Sequence, residues 1–99
     1  MAKRSPTGQC ADLLKALSDE TRLYIMRQLI AGPRGVKQLN ASRKWPQTLF
    51  SHHLRVLREA GLVECHREGK GVTYRLAPSV MLPHGTGFNL GYCALRFLS

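Results

Sequence analysis

The stretch that most constrains this chain is PQTLFSHHLRVLREAGLV, residues 46–63, together with REGKGVTYRL at 67–76. Phe50, His53, Leu54 and Leu57 fall at i, i+3, i+4 and i+7, one stripe of an α-helix. Gln47, Thr48, Ser51, His52, Arg55 and Arg58 lie off that stripe and can all hydrogen-bond. Pro46 suits the first helical turn, where its missing N–H costs nothing, and Gly61 suits the position just past the end. The spacing predicts a helix of about fifteen residues, roughly 22 Å long. After Gly61 the period changes. Leu62, Val63 and Cys65, then Val72, Tyr74 and Leu76, suit two short strands. Gly69 and Gly71 supply turn geometry between them, with Lys70 at the tip and Arg67 and Arg75 on the arms.

A basic hairpin tip is costly to bury, so it points to solvent or to phosphate. The whole chain leans the same way. Fifteen Lys and Arg against six Asp and Glu give a net charge of +9 in 99 residues. That bias selects a polyanionic partner, nucleic acid first and an anionic membrane surface second. Ninety-nine residues make one domain with one modest core, which a dimer interface would help. No apolar run approaches the ~20 residues of a membrane span. MAKRSPTGQC lacks the hydrophobic region of a signal peptide. Three widely spaced cysteines do not make a disulfide framework. The expected compartment is a reducing bacterial cytoplasm, at the nucleoid.

Three parts are expected along the chain. Residues 1–8, polar and basic, read as a flexible tail. Residues 9–77 read as the main domain. It starts with a helix over residues 10–17. A second helix follows, with Ser18 as its cap, Asp19 and Glu20 in its first turn and its end near Ala31. Leu23, Met26, Leu29 and Ile30 form its expected inner stripe, with Arg22 and Arg27 outside. A short helix from Val36 to about Arg43 is followed by a tight turn at Lys44 and Trp45. Short helix, brief turn and longer helix with a polar face make a helix-turn-helix. With the hairpin added, the fold class is mainly α with a small β element, a winged helix-turn-helix. Trp45 is expected to plug the gap between the two helices. Residues 78–99 read as an extension that packs on the core or on a second subunit. Its FNLGYCALRF segment suits a strand or a short helix.

On this fold the long helix lies in a major groove about 12 Å wide. Gln47, Thr48, Ser51 and His52 occupy its first two turns and are the candidates for base edges. Arg55 is a candidate phosphate clamp. Arg67 and Lys70 are candidates for phosphate or the minor groove. His53, on the buried stripe, reads as a hydrogen-bonded structural histidine.

ALSDETRLYIMRQL resembles the opening helix pair of the ArsR family of bacterial winged-helix repressors, and SHHLRVLREAGLVECHREGKGVTYRL resembles that family's recognition helix and wing. Together they cover most of residues 10–77. The resemblance implies a homodimer on double-stranded operator DNA, with one recognition helix per subunit in successive major grooves. It also implies repression of a promoter, relieved by an inducer. The family's Cys-x-Cys arsenic segment has no counterpart in VKQLNAS. The family's C-terminal zinc site of Asp, His and Glu is not assembled either, since that segment offers only His84 and no acidic residue. No metal is therefore assigned.

Cys10, Cys65 and Cys93 remain. Each on its own reads as a small buried hydrophobe. The other reading is thiol sensing, with Cys65 beside His66 as a further candidate ligand pair and with Cys10 and Cys93 meeting across a dimer interface. There they would take a soft metal or metalloid, or form a disulfide on oxidation. An alternative function is a winged-helix module for protein interaction or nonspecific nucleic-acid binding, without an inducer site. The sequence holds no Ser/His/Asp arrangement, paired acidic cluster or phosphate-cradling glycine loop, so it does not read as an enzyme.

Overall fold

The computed structural model describes residues 4–98. Helix α1 (Pro6–Leu17) is followed by α2 (Glu20–Leu29), strand β1 (Arg34–Gly35), α3 (Val36–Asn40) and α4 (Gln47–Glu59). Strands β2 (Val63–Glu68) and β3 (Gly71–Leu76) come next, then a 3-10 turn, then β4 (Gly87–Asn89) and β5 (Ala94–Arg96).

Local chemistry sets these boundaries. The Ser5 hydroxyl accepts a hydrogen bond from the Gly8 N–H at 3.1 Å, and Pro6 takes the first helical position. Helix α1 thus begins inside the expected tail of residues 1–8. Of the rest of that tail, residues 1–3 lie outside the described part. Asp19 caps α2 by accepting from the Arg22 N–H at 3.1 Å. Helix α4 ends in a Schellman motif, with Leu62 N–H bonded to Leu57 C=O and Gly61 at φ +78°. That glycine turns the chain sharply into β2.

Helix α2 is rotated from the expected stripe. Its buried side chains are Thr21, Ile25, Met26 and Leu29, while Leu23 and Ile30 are half-buried. The rotation carries Arg22 inward. Helix α3 is shorter than expected and stops at Asn40. The Asn40 side chain then brackets the turn. Its amide donates to Trp45 C=O at 2.8 Å and its oxygen accepts from Trp45 N–H at 2.8 Å. Lys44, between them, sits at φ +55°, a conformation a lysine rarely adopts unaided. Trp45 is half-buried, stacked on Phe50 at 5.8 Å and edge-on to Tyr24 at 5.6 Å.

Strands β2 and β3 pair from Val63↔Leu76 to Glu68↔Gly71, leaving Gly69 and Lys70 as the turn. Strand β1 joins on the far side of β3, giving the antiparallel order β1-β3-β2. The FNLGYCALRF segment contributes to two strands. Strands β4 and β5 pair antiparallel, and Met81 bridges to Phe88. Phe88, Val80 and Leu90 from this segment lie in the same core as Ile25, Met26, Phe50 and Leu57. The extension therefore shares the core that holds α4. Phe97 packs edge-on against Phe88 at 5.3 Å, with the Arg27 guanidinium 4.1 Å above its ring. Among the described residues no helix is long and apolar enough to cross a membrane.

Candidate nucleic-acid interface

Helix α4 buries Phe50, His53, Leu54 and Leu57 and turns its other face to solvent. Gln47, Thr48, Ser51, His52 and Arg55 are all exposed and line one shallow open groove along that face. Their spacing explains this. Positions 47, 48, 51, 52 and 55 repeat with the helical period opposite the buried stripe. Thirteen residues give α4 a length of roughly 20 Å. Leu49, in the first turn of α4, is 43% exposed. Sequence reasoning passed over it because an apolar residue beside Phe50 reads as core. On an exposed helix end it offers the kind of surface that meets a thymine methyl group.

Arg67 and Lys70 are exposed on the β2–β3 hairpin, Lys70 in the turn itself. Among the described residues Arg55, Arg67 and Lys70 enter none of the ion pairs. The cations of Arg4, Arg43 and Arg75 are engaged with Asp12, Glu20 and Glu64 respectively. The three unpaired cations keep full capacity for phosphate. Arg43 also covers the Tyr24 ring at 4.4 Å and the Trp45 ring at 5.5 Å, so it braces the turn that leads into α4.

The polar anchor of α4 lies on its buried side. Arg22 Nη1 is 3.0 Å from His53 Nδ1, and Arg22 Nε donates to Ala16 C=O at 2.6 Å. A guanidinium can only donate, so Nδ1 accepts and the neutral ring carries its proton on Nε2. Burial pushes the His53 pKa below its ordinary 6.5. The nearby Asp19 carboxylate opposes this, and the cationic Arg22 and neighbouring His52 add to it. His53 is therefore neutral near pH 7, and its 3.9 Å approach to Asp19 is then no ion pair. At Asp19, burial pulls the pKa up, but the Arg22 N–H, His53 where acid protonates it, and the Arg22 cation outweigh it and leave it lowered. The expected structural role of His53 is what the geometry provides. Arg22, by contrast, lies half-buried where its helix position suggests solvent.

The cysteines do not form one cluster. Cys10 on α1 and Cys93 before β5 form a disulfide within one chain, with Cα atoms 6.1 Å apart across 83 residues of sequence. They meet inside the subunit, where the sequence suggested a meeting between subunits. Cys65 is a free, half-buried thiol elsewhere, opposite Tyr74 on the hairpin. Burial first, and the neighbouring Cys65 second, push the Tyr74 hydroxyl pKa up. Among the described residues, no three His, Cys, Asp or Glu side chains gather as metal ligands.

This architecture and sequence have relatives. Residues 19–64 match the family model described as "Bacterial regulatory protein, arsR family". The chain is 42% identical over 66 residues to the HTH-type transcriptional repressor SmtB of Mycobacterium tuberculosis, covering 67% of this chain and 49% of that one. It therefore spans about half the length of that curated relative. The structure of the transcriptional repressor BigR from Xylella fastidiosa superposes with a TM-score of 0.67 at 38% identity, over 72% of each chain. The homodimeric winged helix-turn-helix DNA-binding domain Mb0332 of Mycobacterium bovis superposes at 0.66 with 35% identity, over 78% of this chain and 76% of that one. The match is to regulatory proteins and not to enzymes. The helix-turn-helix, the β2–β3 wing and these relatives agree: the chain belongs to the arsR family of bacterial regulatory proteins and has a winged helix-turn-helix fold.

Proposed function

We propose that the chain is a homodimeric, sequence-specific DNA-binding repressor that blocks a promoter and is released by a chemical signal. The observation that carries this reading is the solvent face of α4, where Gln47, Thr48, Ser51, His52 and Arg55 form one unbroken polar surface. In this reading Gln47 contacts adenine, Thr48, Ser51 and His52 contact neighbouring base edges, and Arg55 holds phosphate or guanine. Arg67 and Lys70 contact the backbone or the minor groove on the flank. The relatives support it, since SmtB and BigR are named repressors and Mb0332 is described as a homodimeric DNA-binding domain. The net charge of +9 supplies the nonspecific attraction.

The residue division follows the roles. Residues 9–77 carry DNA binding, residues 78–99 carry core and dimer packing, and the basic N-terminal residues lend charge. For the signal, the paired Cys10 and Cys93 favour thiol oxidation over a metal. An oxidant of the peroxide or disulfide class accepts two electrons, two protons leave, and the sulfur–sulfur bond closes. A DNA-binding regulator works in a reducing cytoplasm, where a disulfide is a transient signal and not a standing staple.

Selection from a random duplex library tests the reading. The expected product is a two-fold symmetric site with half-sites about one helical turn apart. Affinity for it should exceed that for random duplex by at least a thousandfold and fall steeply with salt. Equal affinity for every duplex would leave only a nonspecific nucleic-acid-binding module.

A further inference from the structure

Strand β5 lies at the edge of its sheet. The hydrogen bonds Leu90 N–H to Cys93 C=O and Phe97 N–H to Thr86 C=O show which residues of this strand turn toward β4. They are the odd-numbered ones. By alternation, the N–H and C=O of Ala94 and Arg96 point away from β4. Among the described residues those groups have no backbone partner. An edge of this kind pairs with another extended chain unless charge, proline or a covering element prevents it.

We propose that β5 pairs antiparallel with β5 of a second copy of this chain, in the register that sets Leu95 opposite Leu95. The proposal rests on the homodimer reading above and names its interface. Side-chain chemistry selects both the occupant and the register. A strand that pairs with itself about a two-fold axis must tolerate its own residues. Centring on Leu95 places the small Ala94 opposite Arg96 of the second copy, and the reverse. Centring on Arg96 would set two arginines face to face, which is repulsive. The Leu95 register also brings Leu98 of one copy alongside Tyr92 of the other. Leu98 is 97% exposed and Tyr92 63%, the two most exposed large apolar side chains of the described residues. A single register thus closes four backbone hydrogen bonds, avoids a like-charge pair and covers both exposed apolar groups. Leu14, also exposed, lies one helical turn from Cys10, the residue bonded to Cys93 at the start of β5, and extends the apolar surface onto α1.

Analytical ultracentrifugation of the full chain, with circular dichroism to confirm folding, tests this. Ala94→Pro removes an outward N–H and leaves the β4–β5 hydrogen bonds intact. Ala94→Arg sets arginine against Arg96 of the second copy. Each is expected to raise the dimer dissociation constant at least tenfold. The double variant Ala94→Arg with Arg96→Glu restores opposite charges across the seam and is expected to recover the dimer. A dimer indifferent to Ala94→Pro and Ala94→Arg overturns the pairing while leaving the homodimer standing, and would leave the edge open to an extended segment of another protein. A wild-type chain that is monomeric at every concentration overturns the homodimer reading itself. Loss in both single variants without recovery in the double variant overturns the Leu95 register.

Discussion

Arg22 Nη1 lies 3.0 Å from the Nδ1 atom of His53, joining the first turn of α2 to the buried face of α4. Neutral imidazole accepts this hydrogen bond, and protonated imidazole cannot. The histidine's pKa is lowered in the fold, so below 6.5 the unfolded chain takes up more protons than the native one. The stability supplied by neutral His53 is therefore complete above pH 6.5. It declines as pH falls from there toward the lowered native value. Asp19 acts in the same direction at lower pH. Its native pKa is lowered, so its contribution is present above 3.8 and is lost as pH falls further. Urea unfolding from pH 7.5 to 4.5 is expected to show a midpoint that falls on acidification. Arg22→Gln is expected to raise the His53 titration midpoint seen by NMR. A midpoint for His53 at or above 6.5 in the wild type would contradict the assignment.

In the proposed reading, the exposed residues of α4 and those of the hairpin are expected to separate by the kind of loss their replacement causes. Ser51→Ala and Arg55→Ala are expected to cost about 1–3 kcal/mol on the preferred site and much less on random duplex, relaxing sequence choice. Lys70→Ala is expected to weaken all duplexes alike and to flatten the salt dependence by about one ion. Fluorescence anisotropy across a salt series measures both. Altered sequence preference in Lys70→Ala would move the hairpin from the backbone to the bases.

Leu57 is fully buried beneath α4. Leu57→Ala leaves a cavity and is expected to cost about 2–5 kcal/mol of stability. The loss is read from the shift of the denaturation midpoint at constant slope.

The bond between Cys10 and Cys93 closes a loop across 83 residues of sequence. Restricting the unfolded chain over a loop of that length stabilises the fold by about 4.5 kcal/mol in the loop-entropy view. Reductant is expected to lower the wild-type denaturation midpoint and to leave Cys93→Ser unmoved. Equal midpoints with and without reductant would show that the bond does not form in solution.

Much of the candidate surface was legible because α4 is long and strongly periodic. SHHLRVLREAGLV declares its buried stripe at every turn, and with the stripe known the polar face follows. The hairpin was legible through Gly69 and Lys70. Arg22 was misread because an arginine on a helix defaults to solvent, and nothing local says that it will bind the Ala16 carbonyl and a histidine 31 residues away. Leu49 was missed for the opposite reason, since apolar residues default to the interior. The last segment stayed open between strand and helix because a short apolar alternation fits both. It was settled by Phe88 entering a core formed far upstream. The meeting of Cys10 with Cys93 is likewise a fact of tertiary packing, invisible to any local pattern.

The two hydrogen bonds between Asn40 and Trp45 leave the junction before α4 little freedom to flex. Lys44 is held in an unusual backbone state, and Trp45 is wedged between Phe50 and Tyr24. Helices α3 and α4 therefore travel as one stiff elbow. A signal that releases the protein from DNA is then expected to swing that elbow whole, as an oar turns in its lock, and not to act by loosening its joint.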